Sequence, residues 1–304
     1  MGLLNAIKEP LTEMDQRLFL IGSALPGALV FVTLLCVGLA RRKKDVAWPA
    51  WLSPALFGVA FLFAYFSVHA INSVQVWPAD GAKRILHGVA LMAIVGALSE
   101  VFPKRARVAG PPLLIVACAG AIALPLAPLI RIQGGGAFAL TTALWTLACV
   151  VVAFSLGQSH ARRPGWRVPL LAVAAPFSAS LVAYYGSVAT LGQMAGGITA
   201  VVSATAAAAI IIRRAALRPS AWLTLMTPIV IVLAGARAYA YNPGPLWASA
   251  LALASPLPAL LCAPAKLRDG KWKYGVLAVQ ILLTATLALG AIWIAYQGRS
   301  TYEY

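Results

Sequence analysis

Long apolar stretches, each about the length of a bilayer crossing, alternate along this chain with short breaks rich in Gly, Pro, Lys and Arg. A helix needs about 20 mostly apolar residues to cross the hydrocarbon core. Ten runs qualify: 18–40, 47–70, 85–102, 112–130, 137–157, 169–190, 193–212, 220–241, 245–263 and 274–296. The breaks carry ordinary punctuation, among it Arg41-Arg42-Lys43-Lys44, Pro103, Gly134-Gly135-Gly136, Pro219 and Asn242-Pro243-Gly244. The least marked boundary is the sixth to seventh, where only Leu191, Gly192 and Gln193 intervene. Membrane strands would alternate apolar and polar residues over about ten positions, which these continuous runs do not do.

Composition agrees. Of 304 residues, 61% are hydrophobic and 11% charged, with a mean hydropathy of +0.85. Soluble domains hold about 45–50% apolar and about 25% charged residues, and disorder requires low hydrophobicity. The fold class read from the chain is therefore all-α, a polytopic transmembrane bundle of about ten spans. Residues 18–304 form a single helical domain, after an N-terminal interfacial segment at 1–17 whose Leu3, Leu4, Ile7, Leu11 and Met14 recur at helical spacing. A cleaved leader is not expected, since the first 17 residues carry both signs of charge and the following run is too long.

The net charge of +16 could point to nucleic acid, but its distribution points to topology. The odd-numbered loops hold Arg41 to Lys44; Lys104, Arg105 and Arg107; Arg162, Arg163 and Arg167; Arg213, Arg214 and Arg218; and Lys266, Arg268, Lys271 and Lys273. Cytoplasmic loops are enriched in Lys and Arg, so both termini are expected outside. The partners expected are anionic headgroups at those basic loops, with protein partners within the membrane and no nucleic acid. The setting read from this is a multi-pass protein of the cell membrane, of the bacterial inner-membrane type.

Two segments resemble each other: Arg41-Arg42 precedes Ala50-Trp51-Leu52, and Arg213-Arg214 precedes Ala221-Trp222-Leu223. A parallel repeat would pair spans 1–4 with spans 7–10; recurring basic loops with interfacial Trp give the same pattern without one. Gly196, Ala200, Ala204 and Ala208 form a small-residue stripe that makes span 7 the expected central helix, with Ser203 and Thr205 able to bond across helices.

Side chains able to carry chemistry are few. Ionisable groups in hydrocarbon are costly and so mark function, yet Glu100 is the only acidic residue within a span, beside the basic break at 103–105, where pairing with a loop cation accounts for it. His69 and His87 lie on consecutive spans near one face and could hold haem or a quinone; interfacial bonding to headgroups is the plainer account. His160 reads as a solvated loop residue. Arg237, about a turn inside span 8, suits an anionic headgroup or a carboxylate, or snorkels to the interface. Tyr184 and Tyr185 make span 6 the most polar, and Pro125, Pro128, Pro176, Pro256 and Pro258 free backbone carbonyls of the kind that line transporter sites. The four cysteines form no CxxC and read as small apolar residues. No HExxH, GxSxG, P-loop or Asp-rich prenyl-transfer motif occurs, so an enzyme is not expected and no cofactor is specified. The expectation is a carrier for a neutral, apolar or lipid-like solute, with substrate residues Arg237, Tyr184 and Tyr185. The alternatives are a non-catalytic subunit or scaffold of an envelope or electron-transfer complex, and a haem- or quinone-binding protein using His69 and His87.

Overall fold

The computed structural model describes residues 20–41, 48–68, 81–162, 165–186, 188–213, 217–239, 245–260 and 273–299. Among them ten helices follow in order: α1 (Leu25–Ala40), α2 (Leu52–Val68), α3 (Gly81–Val101), α4 (Pro103–Leu126), α5 (Gly135–Arg162), α6 (Arg167–Tyr185), α7 (Ala189–Ile212), α8 (Pro219–Tyr239), α9 (Leu246–Ala254) and α10 (Lys273–Arg299). Each falls on one of the ten apolar runs. Eight are long and apolar enough to cross a membrane, while α2 and α9 are shorter. The N-terminal segment at 1–17, His69 and Cys262 lie outside the described residues.

Proline sets where these helices bend or stop, because it has no N–H for the carbonyl four residues earlier. Pro26 cannot bond Gly22, and the chain enters α1 through a π-turn at Leu20–Ala24. Pro176 cannot bond Ala172, and α6 turns at Val173. Pro128 ends α4 in a 3-10 turn at Ala127–Leu129, followed by a short helical turn at Ile130–Gln133. Pro256 and Pro258 end α9, which continues as a 3-10 turn at Leu257–Leu260; the Ala252 carbonyl takes the Ser255 hydroxyl at 2.8 Å instead.

The helices are arranged around α8. It packs against α2, α3, α4, α5, α6, α7 and α9, and every residue from Ser220 to Ala236 is buried. α1 lies outside, against α2 and α7, and α10 lies outside, against α6 and α9. The expectation that α7 is central is thus corrected. Its small residues serve close crossings at the periphery of the inner ring: Gly27 of α1 meets Ala200, and a Cβ on Gly197 would strike the Gly22 carbonyl and come within 2.6 Å of Ala64 Cβ. Ser203 is exposed, and Thr205 donates to Val201 of its own helix at 2.9 Å. The two threonines of α8 are bonded within their own helix. Thr224 donates to the Ser220 carbonyl at 3.0 Å and Thr227 to that of Leu223 at 2.7 Å, so both hydroxyls are satisfied away from lipid.

Two further expectations are revised. The break between α6 and α7 falls at 186–188, not 191–193. Gly192 is inside α7, where the Ser180 hydroxyl reaches its carbonyl at 2.6 Å. The packing also lacks the symmetry of a 1–4 and 7–10 repeat. Helix α8 packs on α3, but its counterpart α2 makes no comparable contact with α9 among the described residues. The paired tryptophans differ too: Trp222 is 0% exposed and Trp51 45%. An interfacial Trp after a basic loop recurs because of the membrane interface and does not dictate which helix is enclosed.

The ends of the helices that flank the basic loops come together. Gly38 meets Ile212, Gly157 meets Pro219, and Gly165 lies 3.4 Å from the Arg213 carbonyl, distances taken from the Cβ each glycine would carry. At this same end Glu100 accepts from Arg218 at 2.9 Å and from the Ser220 hydroxyl at 2.6 Å. The partner shown is the loop cation before α8.

Candidate functional site

Among the described residues the loosest join between neighbouring helices around α8 is the seam between α5 and α9; a smaller apolar groove of about 380 Å³ lies between α2 and α3. At the Glu100 end the seam is pinned: the Ser159 hydroxyl donates to the Ala259 carbonyl at 3.0 Å, joining α5 to the 3-10 turn that Pro256 and Pro258 impose. Away from that pin the two helices part. The space between them, walled behind by α8, is a slot of about 700 Å³, within the range of small-molecule sites.

The slot has a polar rim and an apolar depth. Gln133, Arg237 and Leu246 line its mouth, at the end of the short turn that follows α4 and at the ends of α8 and α9 that lie opposite Glu100. Deeper come Leu144, Trp145, Ala148 and Leu253, and deepest Val151, Val152 and Leu257. From Thr141 to Val152 the α5 wall runs about 16 Å at 1.5 Å per residue. The slot is open sideways: Leu144 is 59% and Val151 50% exposed, so its wall faces the surroundings of the bundle rather than a sealed interior.

The rim is braced beside Arg237. The Tyr239 hydroxyl donates to the Pro125 carbonyl, and Gly81, the first residue of α3, sits so close to both that a Cβ would not fit. Thus α3, α4 and α8 are locked together two residues along the chain from Arg237.

The sequence-derived candidates separate in the structure. Arg237 lines the slot. Tyr184 and Tyr185 do not. They belong to an aromatic cluster in which Tyr185 meets Tyr296 edge-on at 5.6 Å and Tyr296 lies 6.2 Å from Trp293, an arrangement typical of interfacial belts. His87 is half-buried on α3 and is not part of the slot lining; its proposed partner His69 lies outside the described residues. His160 corrects the reading of a solvated residue: it is 0% exposed in the last turns of α5, its ring 5.8 Å from that of Trp222. The α5 helix runs several residues past the apolar stretch, which carries His160 inside the bundle.

Two thiols also meet. Cys118 of α4 and Cys149 of α5 lie 3.6 and 3.8 Å from the Thr227 hydroxyl of α8. Both are fully buried, as small apolar residues in a core are. Among the described residues no group of three or more His, Cys, Asp or Glu could hold a metal. Sequence reasoning missed Gln133 and Trp145 as site residues; the signal that was available was the Pro256 and Pro258 pair, which shapes the slot floor.

Eight apolar helices of spanning length, packed with the two shorter ones α2 and α9 in an all-helical bundle, make this a multi-pass integral membrane protein. No protein-family model, no curated protein and no solved structure matches the chain.

Proposed function

We propose that this protein is a carrier for a lipid-like solute that moves sideways from the bilayer into the slot between α5 and α9. The observation that carries this reading is the slot itself: apolar along its depth, polar only at its mouth and open along its length. A water-soluble solute would need polar groups down the wall, which among the described residues holds only the Thr141 hydroxyl and the Trp145 indole N–H beyond the rim. The interrupted α9 adds support, since broken helices at membrane depth are tolerated where they line a cavity. In the same reading the Glu100 end, with its basic loops, faces the cytoplasm, and both termini and the mouth of the slot lie outside.

Reconstitution into liposomes with a panel of fluorescent single-chain lipids tests the carrier. Transfer above that of empty vesicles is expected, and Ala148→Trp, which fills the slot from the α5 wall, abolishes it. Transfer no faster than in empty vesicles, or undiminished in Ala148→Trp, would contradict the proposal. Sidedness is read in intact cells with an impermeant thiol reagent, which is expected to label Gly134→Cys and to spare Arg41→Cys; the reverse pattern would invert the orientation.

A further inference from the structure

An apolar slot inside a membrane poses an energetic problem. A hydrocarbon chain leaving lipid for the slot exchanges one apolar environment for another, so the walls by themselves concentrate nothing; association in a bilayer is driven by packing and polar contacts. Selection must come from the rim. There the single charged residue lining the slot is Arg237, with the Gln133 amide beside the same mouth. Both side chains carry N–H donors, and the guanidinium presents a planar fork that matches carboxylate and phosphate oxygens. Arg131, exposed two residues before Gln133, adds positive charge at the same end.

We infer that the slot binds an amphiphile with one apolar chain and one anionic head, a carboxylate or phosphate monoester, its head on Arg237 and Gln133 and its chain running past Trp145 to Leu257. This rests on the slot reading proposed above and adds the class of solute. Three features fit. The charge at the mouth is cationic. The apolar wall is about 16 Å deep along one direction, the shape of one extended chain. The volume of about 700 Å³ is that of sites for drug-sized molecules, which suits one chain with a small head better than a two-chain phospholipid. Trp145, partway down, offers a flat apolar face to the segment of chain nearest the head.

The test uses the full-length protein released from a neutral detergent, with binding read by native mass spectrometry. The probes are dodecanoate, dodecyl phosphate, dodecanol and a diacyl phosphatidylglycerol. Single adducts with the two single-chain anions are expected, at least about tenfold tighter than with dodecanol, as a charge-assisted hydrogen bond gives. Arg237→Gln is expected to bring the anions down to the level of the alcohol, and Arg237→Lys to retain part of the difference. The preference between dodecanoate and dodecyl phosphate identifies which head the site takes. Two plugs from opposite walls, Ala148→Trp and Ala250→Trp, are expected to abolish binding of every single-chain probe, with retention of helical circular dichroism showing that the bundle is intact. Equal binding of dodecanol and dodecanoate, or anion binding unchanged in Arg237→Gln, would overturn the anionic-head inference; loss of binding in both plugs would then leave the slot reading standing. Tighter binding of the diacyl lipid would overturn the single-chain assignment. Binding unaffected by either plug would remove the slot reading itself.

Discussion

Glu100 is the one acidic side chain among the described residues, and its two partners show what a carboxylate near a membrane surface needs. It is 10% exposed while Arg218 is 56% exposed, so the ion pair is half in water and screened. The Ser220 hydroxyl, itself buried, has the carboxylate as its acceptor at 2.6 Å. Glu100→Gln keeps an acceptor for Ser220 and removes only the charge, a loss of about 1 kcal/mol. Glu100→Ala leaves a buried hydroxyl without that acceptor and is expected to cost about 2 kcal/mol. Thermal denaturation in detergent checks the order; equal midpoints for the two variants would show that the Ser220 bond contributes nothing. Arg237 stands at the opposite end with a different setting. It is exposed at the mouth of an apolar slot, where a cation can be reached from the bilayer interface. Both residues were legible in the chain, because charge in a long apolar run is conspicuous. His160 was not, since nothing in a basic stretch shows that a helix continues through it.

Helices in this protein are told apart by what they touch rather than by how apolar they are. The chain pattern places all ten segments, because a spanning run is long and distinct from a loop. It does not rank them by enclosure, since a leucine facing lipid and a leucine facing protein look alike. Helix α8 is no more hydropathic than its neighbours, and its Thr224 and Thr227 have counterparts in Thr142 and Thr146 of α5 and Thr284 of α10, so nothing in its composition marks its central place. The stripe on α7 has a narrower role: its Ala200 meets α1, while the close approach to α2 is made by Gly197 beside it. Gly197→Leu, at the crossing with Gly22 and Ala64, is expected to destabilise by about 1–3 kcal/mol, the usual cost of overpacking. Gly196→Ala, whose Cβ would have only the Ser180 hydroxyl at 3.7 Å, is expected to leave the denaturation midpoint within error. Equal effects of the two would mean that the crossing is not as close as described. The prolines of α9 were visible in the chain as interruptions, but not the slot they help to form, because a gap between helices depends on where neighbouring chains are pinned, here at Ser159 and Ala259.

At the scale of the whole molecule, the ring around the enclosed helix is closed most loosely, among the described residues, between α5 and α9, where the larger of its two apolar spaces lies. Several other joins are locked by small-residue crossings or by hydrogen bonds such as Tyr239 to Pro125 and Ser180 to Gly192. In the proposed carrier the seam between α5 and α9 is the route for a molecule arriving from the bilayer, its head placed at Arg237 and Gln133. An experimental density map of the full-length protein in lipid nanodiscs tests this most directly. The account predicts α5 and α9 apart above the Ser159 pin, with elongated density between them reaching from Arg237 toward Leu257. Helices α5 and α9 packed against each other along their whole length, with no space between Trp145 and Leu253, would contradict it.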